Sequence, residues 1–222
     1  MRAIVAVRQG GPEVLELQQV PEPEAGPEGT LVRVRSAGVN FADALSTRGQ
    51  YAASPPPPFV PGLEVAGTVV ADGRPVMAIL ASGGYAELAV ADSRLLVPAD
   101  GLDLAQAGGY LLVTLTAYYG LAESVPPLGR MALIGASSGT PPEVPGFDAL
   151  RRRNVGVFCF SFGMLRRADP ALVAATAPRA VELLRSGKVR PPVGESLPLE
   201  QAADAHRRLT SRQTVGKVVL IP

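Results

Sequence analysis

The sequence predicts a mixed fold of the α+β / α/β type, in which a small barrel-like β unit is followed by a helix-rich stretch carrying a short sheet of its own. Three observations predict it. Up to Val97 the chain is a series of short Val-, Ile- and Leu-rich runs separated by Pro and Gly, the pattern of strands joined by turns. After Pro98-Ala99-Asp100-Gly101 the apolar spacing becomes that of helices. From residue 130 onward, strand-like and helix-like runs alternate to the end of the chain.

The first predicted strands are 2–7, 14–20 and 31–37. Asn40 then caps a short helix over 41–47, with Asp43 in its first turn, where a carboxylate complements the helix dipole. Ser54-Pro55-Pro56-Pro57-Pro58 is a stiff extended link, unable to continue a helix and poor in sheet donors. Further strands cover 63–70, 75–80, 85–91 and 95–97, a spacing suited to a small barrel. Asp103 caps a helix over 104–108, and Leu111, Leu115, Tyr118, Tyr119 and Ala122 share one face of a helix over 110–124. Strands at 130–135 and 154–160 follow, separated by a loop containing Pro141-Pro142 and Pro145-Gly146. Asp169-Pro170 opens a helix over 171–185, which Pro178 kinks and Gly187 stops. A strand at 192–197, a helix at 200–209 and a strand at 216–221 close the chain.

At 222 residues and 47% hydrophobic content the chain can bury a sizeable core. Twenty-one Lys plus Arg balance twenty Asp plus Glu, so no net field draws a nucleic acid or an anionic membrane. The single Cys159 rules out an internal disulfide, and with the single His206 it leaves too few soft ligands for a zinc site of the usual kind. The longest apolar stretch, 108–121, is interrupted and too short to span a bilayer, and the N-terminus lacks the long apolar run of a signal peptide. A cytoplasmic protein without metal, membrane segment or nucleic-acid partner is expected.

Several motifs stand in order along the chain. They are Gly10-Gly11-Pro12-Glu13-Val14-Leu15, Gly38-Val39-Asn40-Phe41-Ala42-Asp43, Tyr51, and Pro61 to Val69, which contains Gly62-Leu63-Glu64-Val65-Ala66-Gly67. Later come Gly83-Gly84-Tyr85-Ala86-Glu87, Leu115-Thr116-Ala117-Tyr118-Tyr119, Arg153-Asn154, Pro191-Pro192-Val193-Gly194 and Gly216-Lys217-Val218-Val219-Leu220. Together they resemble the zinc-independent, zeta-crystallin-like quinone oxidoreductases of the medium-chain dehydrogenase/reductase superfamily. That resemblance implies a GroES-like β-barrel domain (1–100 plus 190–222) and, between its parts, a truncated Rossmann-like sheet remnant (101–189). It also implies NADPH in the cleft and hydride transfer to a quinone or enone without metal, the hydride chemistry belonging to the cofactor.

By the same resemblance, Asn40 and Tyr51 are the catalytic candidates. Asn40 would be a polar contact near the nicotinamide, against its reading as a plain N-cap; Tyr51 would line the acceptor pocket and bond a developing oxyanion, against its reading as a wall residue. Thr116, Gly135, Ala136, Phe160 and Ser161 would border the nicotinamide, or be core packing. Lys217 would lie near the cofactor, or be a solvated charge. A homodimer through the strand from Asn154 to Phe160 is implied as well, because unpaired apolar edges find partners.

The middle of the chain departs from the family. A Rossmann sheet has about six parallel strands and each βαβ unit takes roughly 30 residues, whereas only 52 residues separate Thr116 from Asp169. The segment Gly135-Ala136-Ser137-Ser138-Gly139 is followed by Thr140-Pro141-Pro142, so no helix starts where a phosphate loop needs one. It reads instead as the late strand that reaches the nicotinamide. An internal deletion near 124–128, natural or engineered, is therefore expected, with impaired cofactor binding. The alternative is a non-catalytic binding or assembly protein on a GroES-like scaffold. Asp43 with Glu64 suggests an acid–base pair, though caps and turns explain both. The runs Arg151-Arg152-Arg153, Arg166-Arg167 and Arg207-Arg208 are phosphate contacts or solvated element ends. His206 is placed on the polar side of its helix, and Cys159 in the core.

Overall fold

Eleven residues of β3 (Gly29–Val39) organise the main sheet, because this strand is long enough to serve three partners. On one edge it pairs antiparallel with β4 (Glu64–Val69). On the other it pairs with β6 (Leu88–Asp92) through residues 29–33 and then with β11 (Lys217–Ile221) through residues 37–39. A register shift between Val34 and Ser36 bends β3 where the exchange occurs. The order β10-β11-β3-β4-β5-β7 continues with β10 (Val193–Pro198) parallel to β11, and with β5 (Pro75–Ile79) and β7 (Leu96–Pro98) antiparallel on the far side. The computed structural model describes residues 1–51, 54–121, 130–134, 144, 146–148, 150 and 156–222.

The barrel interior is filled by strand residues, among them Val32, Val65, Ala78 and Leu220, together with Tyr85 and Leu199 from the segments next to β6 and β10. A separate antiparallel pair, β1 (Arg2–Ala6) and β2 (Leu15–Gln19), closes the barrel through single bridges from Ala3 to Ala86 and from Ala6 to Phe59. The motifs Pro61-Gly62 and Gly83-Gly84-Tyr85 face each other. Gly62 has φ +104°, and any side chain there would run into the backbone of Gly84 and Tyr85.

β5 is buried on both faces, which explains its unbroken apolar run: Val76 and Ala78 face the barrel, Met77 and Ile79 the opposite layer. That layer consists of α3 (Leu111–Leu121) and α5 (Pro170–Arg185), packed through Leu111, Leu115, Tyr119, Val173, Ala177 and Val181. Each buried Leu or Val side chain among these contributes on the order of 1.5–3 kcal/mol. Asp169 caps α5 by accepting the Leu172 N–H at 2.9 Å, and the helix runs unbroken through Pro178. Two further strands, β8 (Arg130–Ile134) and β9 (Gly156–Phe160), form a parallel ladder in the Rossmann manner. β9 leads directly into α4 (Phe162–Ala168). Tyr119 ties the pieces together, stacking on Phe160 at 6.2 Å and giving its hydroxyl proton to the Leu172 carbonyl at 3.0 Å.

Two sequence expectations are corrected here. His206 is not on a polar helix face: α6 (Ala202–Thr210) turns Ala202, Ala205 and His206 inward together, leaving His206 1% exposed with Nε2 3.2 Å from the Tyr85 hydroxyl. Cys159 is exposed rather than core, because no described element covers its side of β9. The expected junction at 124–128, the segment 135–139 with Gly135 and Ala136, and the run 151–153 lie outside the described residues. No helix among the described residues is long and apolar enough to cross a membrane.

Candidate functional site

Asn40 directly follows β3 and is the N-cap of α1 (Phe41–Thr47), so its backbone position is fixed between two elements. Asp43 accepts the Asn40 N–H at 2.8 Å, the reciprocal bond of a capping box. The Asn40 side chain has a second set of partners, since Oδ1 accepts from Lys217 Nζ at 2.6 Å and Nδ2 donates to Glu64 Oε1 at 3.0 Å. Lys217 Nζ also donates to Glu64 Oε1 at 3.0 Å and to the Val39 carbonyl at 3.1 Å, which uses all three ammonium protons. Lys217 is therefore not a solvated charge. Its side chain is 13% exposed and that of Glu64 0%.

Glu64 is a strand residue of β4 and not a turn or local cap. Its second oxygen, Oε2, accepts the Leu112 N–H at 2.9 Å, so one buried carboxylate joins the barrel to the first turn of α3, where the helix dipole favours it. Gly38 makes this possible, because a Cβ there would overlap the Glu64 carboxylate and the Gly108 carbonyl. Asp43 and Glu64 do not form an acid–base pair of their own; Asn40 stands between them. Burial pushes the Asp43 carboxyl up to about 7 against the lowering influence of the Asn40 N–H and the Lys217 charge. Asp43 Oδ2 accepts from the Tyr85 hydroxyl at 3.2 Å, and its Oδ1 has no partner among the described residues. Burial also lowers His206 to about 4, which keeps it neutral at pH 7.

On the far side of Leu112 lies a cavity of about 450 Å³. Tyr51, Leu112, Thr116, Ile134, Phe160 and Ser161 are among the residues that line it, drawn from the loop after α1, from α3, from the ends of β8 and β9 and from the start of α4. Leu112 and Thr116 are four residues apart and share one face of α3. Tyr51 reaches over Gly163, where any side chain would collide with its hydroxyl. The phenol is raised above its usual range, chiefly by burial, with the Arg166 charge acting the other way.

The sequence-derived candidates thus divide. Tyr51, Thr116, Phe160 and Ser161 meet at the cavity, whereas Asn40 and Lys217 bond to each other behind it. Sequence reasoning missed the partnership of Glu64 with Lys217 and the exposure of Cys159 at the cavity. A charge set in each of two apolar strands was the one available signal for the first.

A barrel-like β sheet flanked by helices and a parallel two-stranded ladder is a GroES-like domain beside a Rossmann-like sheet. Residues 90–220 match the family model of zinc-binding dehydrogenases, and residues 26–79 match the alcohol dehydrogenase GroES-like domain. The chain belongs to the zinc-binding dehydrogenase family of the medium-chain dehydrogenase/reductase superfamily. It is 36% identical to the quinone oxidoreductase of Lama guanicoe over 154 residues, 63% of this chain and 46% of that protein. It therefore spans less than half the length of that relative. The quinone oxidoreductase of Thermus thermophilus, solved also in complex with NADPH, aligns over 100% of both chains with a TM-score of 0.84 and 28% identity. The Escherichia coli quinone oxidoreductase complexed with NADPH aligns over 100% of both chains with a TM-score of 0.81, and at 20% identity it bears on the fold alone.

The family's zinc does not fit this chain. The sequence holds one Cys and one His, and no three His, Cys, Asp or Glu among the described residues are grouped to hold a metal. The nicotinamide end of a dinucleotide fits better, because the cavity offers the Thr116 side chain and the Phe160–Ser161 segment on one wall and Tyr51 on another.

Proposed function

We propose that this chain is a quinone oxidoreductase-type protein in which the Tyr51 cavity receives a quinone or enone beside the nicotinamide of NADPH, and that its hold on the cofactor is weak. The carrying observation is the convergence of Tyr51, Thr116, Phe160 and Ser161 on one cavity from separate elements. NADPH, when bound, supplies the hydride. Tyr51 is protonated at neutral pH, as a phenol ordinarily is, and burial raises its pKa further, so it can donate a hydrogen bond to an acceptor oxygen that gains negative charge. Thr116 and the Phe160–Ser161 turn orient the nicotinamide; Asn40 and Lys217 act at one remove, by holding Glu64 against Leu112. The domain division into 1–100 with 190–222 and 101–189 belongs to the same proposal, supported by the pairing of β11 with β3.

The sequence supports weak cofactor binding. Between Tyr119 and Arg130 it has no glycine-rich loop, and the pyrophosphate and adenosine ends supply the remote binding energy that positions the nicotinamide. Fluorescence titration should give NADPH binding weaker than the micromolar range, with slow quinone-dependent oxidation at millimolar NADPH. Micromolar binding with fast turnover would overturn the impairment, and no quinone-dependent oxidation at all would overturn the reductase reading.

One observation favours a second role in assembly: among the described residues, β8 is the one strand paired with β9, so the far edge of β9 is unpaired. A homodimer through β9 would cover that edge. Light scattering over a concentration series checks this, and a monomer throughout would exclude it.

A further inference from the structure

We infer that the groove between α4 and the end of β6 seats an oxyanion, a carboxylate, sulfonate or phosphate, carried by the small molecule whose apolar part occupies the Tyr51 cavity. The inference rests on the reading of that cavity as the acceptor site.

Gly163 and Arg166 are three residues apart on α4 and so share a face of it. Gly163 lies under the Tyr51 hydroxyl, which brings Arg166 to the same side, at the border between cavity and groove. The groove holds about 380 Å³ and is lined by Leu80, Asp92, Arg94, Arg166, Arg167 and Pro170, among others. Its charges are unequal in availability. Asp92 is taken by Arg94, with Nε on Oδ1 at 2.9 Å and Nη2 on Oδ2 at 2.7 Å, so both carboxylate oxygens are used. Arg166 and Arg167 make no hydrogen bond or ion pair among the described residues. Two guanidinium groups without a hydrogen-bonded counterion therefore face one groove, with the paired Asp92 as its one carboxylate.

Arg166 is the informative member of the pair. Arg167 is exposed and solvated, but Arg166 is half-buried, and burial pulls its pKa down, with Tyr51 and Asp92 acting the other way and the Arg167 charge adding to the fall. Arginines elsewhere on this surface have partners: Arg2 meets Glu87 and Glu200, and Arg208 meets Glu195. A planar guanidinium taken partly out of water without a counterion is unfavourable by itself, and its fork of donors matches an oxyanion in bidentate geometry. The groove has room for such a group. Arg166 also faces Tyr51, so one bound molecule could place its carbonyl at the phenol and its anionic tail at the guanidinium.

Isothermal titration without NADPH tests this on the full chain with three probes: anthraquinone-2-sulfonate, neutral 2-methylanthraquinone and inorganic phosphate. The sulfonate should bind roughly tenfold more tightly than the methyl compound, the worth of one charge-assisted contact. In Arg166→Gln that margin should shrink to about twofold or less with the methyl compound unaffected, while Arg166→Lys should keep part of it. Thermal unfolding of both variants reports whether they fold, and Arg166→Lys carries the comparison should Arg166→Gln not. Phosphate binding that depends on Arg166, with neither quinone bound, would support the anion seat and sink the acceptor reading of the cavity. An equal margin in the original chain and in Arg166→Gln, or no margin at all, would overturn the inference.

Discussion

Replacing Glu64 by Gln removes one charge from a pair that solvent scarcely reaches and leaves the shape of the side chain almost intact. Glu64 is 0% exposed and the Lys217 side chain 13%, so the ammonium keeps little water when its counterion is lost. It does keep Asn40 Oδ1 at 2.6 Å and the Val39 carbonyl at 3.1 Å. Breaking a buried ion pair costs about 3–5 kcal/mol, and the two surviving acceptors set the expectation near the lower end, about 3 kcal/mol. Lys217→Met strands the carboxylate instead, which retains the Leu112 N–H and Asn40 Nδ2, so a similar loss is expected. The double variant leaves neither charge of this pair buried and should lose far less than the sum, with a coupling of about 2–3 kcal/mol. Urea unfolding at pH 7, in low and in molar salt, measures the cycle, and a buried pair should respond little to the salt. Additivity to within about 0.5 kcal/mol would refute the view that these charges stabilise each other.

The Asp43 carboxyl rises from an ordinary value of 3.8 to about 7, so its protonation favours the folded state and its contribution is lost as pH rises through that window. His206 falls from 6.5 to about 4, so its contribution is lost as pH drops through that window. The two nearly cancel between pH 4 and 6.5. Asp43→Asn should unmask His206, giving a stability that climbs with pH by on the order of 3 kcal/mol relative to the unaltered chain; equal pH profiles in chemical unfolding would contradict this. Gly163→Ala should push the Tyr51 hydroxyl aside, cost about 1–3 kcal/mol and weaken quinone binding, and Tyr51→Phe in the same chain should relieve much of the loss. Tyr51→Phe alone should lower kcat for quinone reduction roughly tenfold or more with little change in melting temperature; unchanged turnover would remove Tyr51 from the chemistry.

The elements legible in the sequence are those whose signals are local. Asp169-Pro170 marked the start of α5 because a cap and a proline act within one turn. β4 and β5 showed as apolar runs because each is covered by its neighbours, and β3 as an alternation in which Arg33 and Arg35 face out. The barrel side of the site was legible for the same reason, since Tyr51 lies between Gly49 and the proline link. What stayed hidden depends on distant partners. Lys217 and Glu64 are 153 positions apart, and a lysine in a terminal strand reads as solvated until the fold places a carboxylate beside it. His206 reads as polar until the barrel brings Tyr85 to it across 121 positions. Cys159 errs the other way, because an apolar strand implies a cover that the described part of the chain does not supply.

Leu112 connects the ion pair to the proposed chemistry. Its amide is held by Glu64 from the barrel and its side chain lines the cavity, with Thr116 one turn further along the same face. The buried pair therefore does more than stabilise: the charged carboxylate fixes where α3 begins and so where Thr116 stands. Stability and binding should then separate in one cycle. The Glu64→Gln/Lys217→Met chain should recover most of its stability, because neither charge of the pair remains buried, yet bind quinone more weakly than the unaltered chain, because a neutral amide holds the Leu112 N–H less firmly. Quinone affinity that recovers in step with stability would mean that Glu64 matters only for folding, and that nothing in the barrel sets the geometry of the cavity.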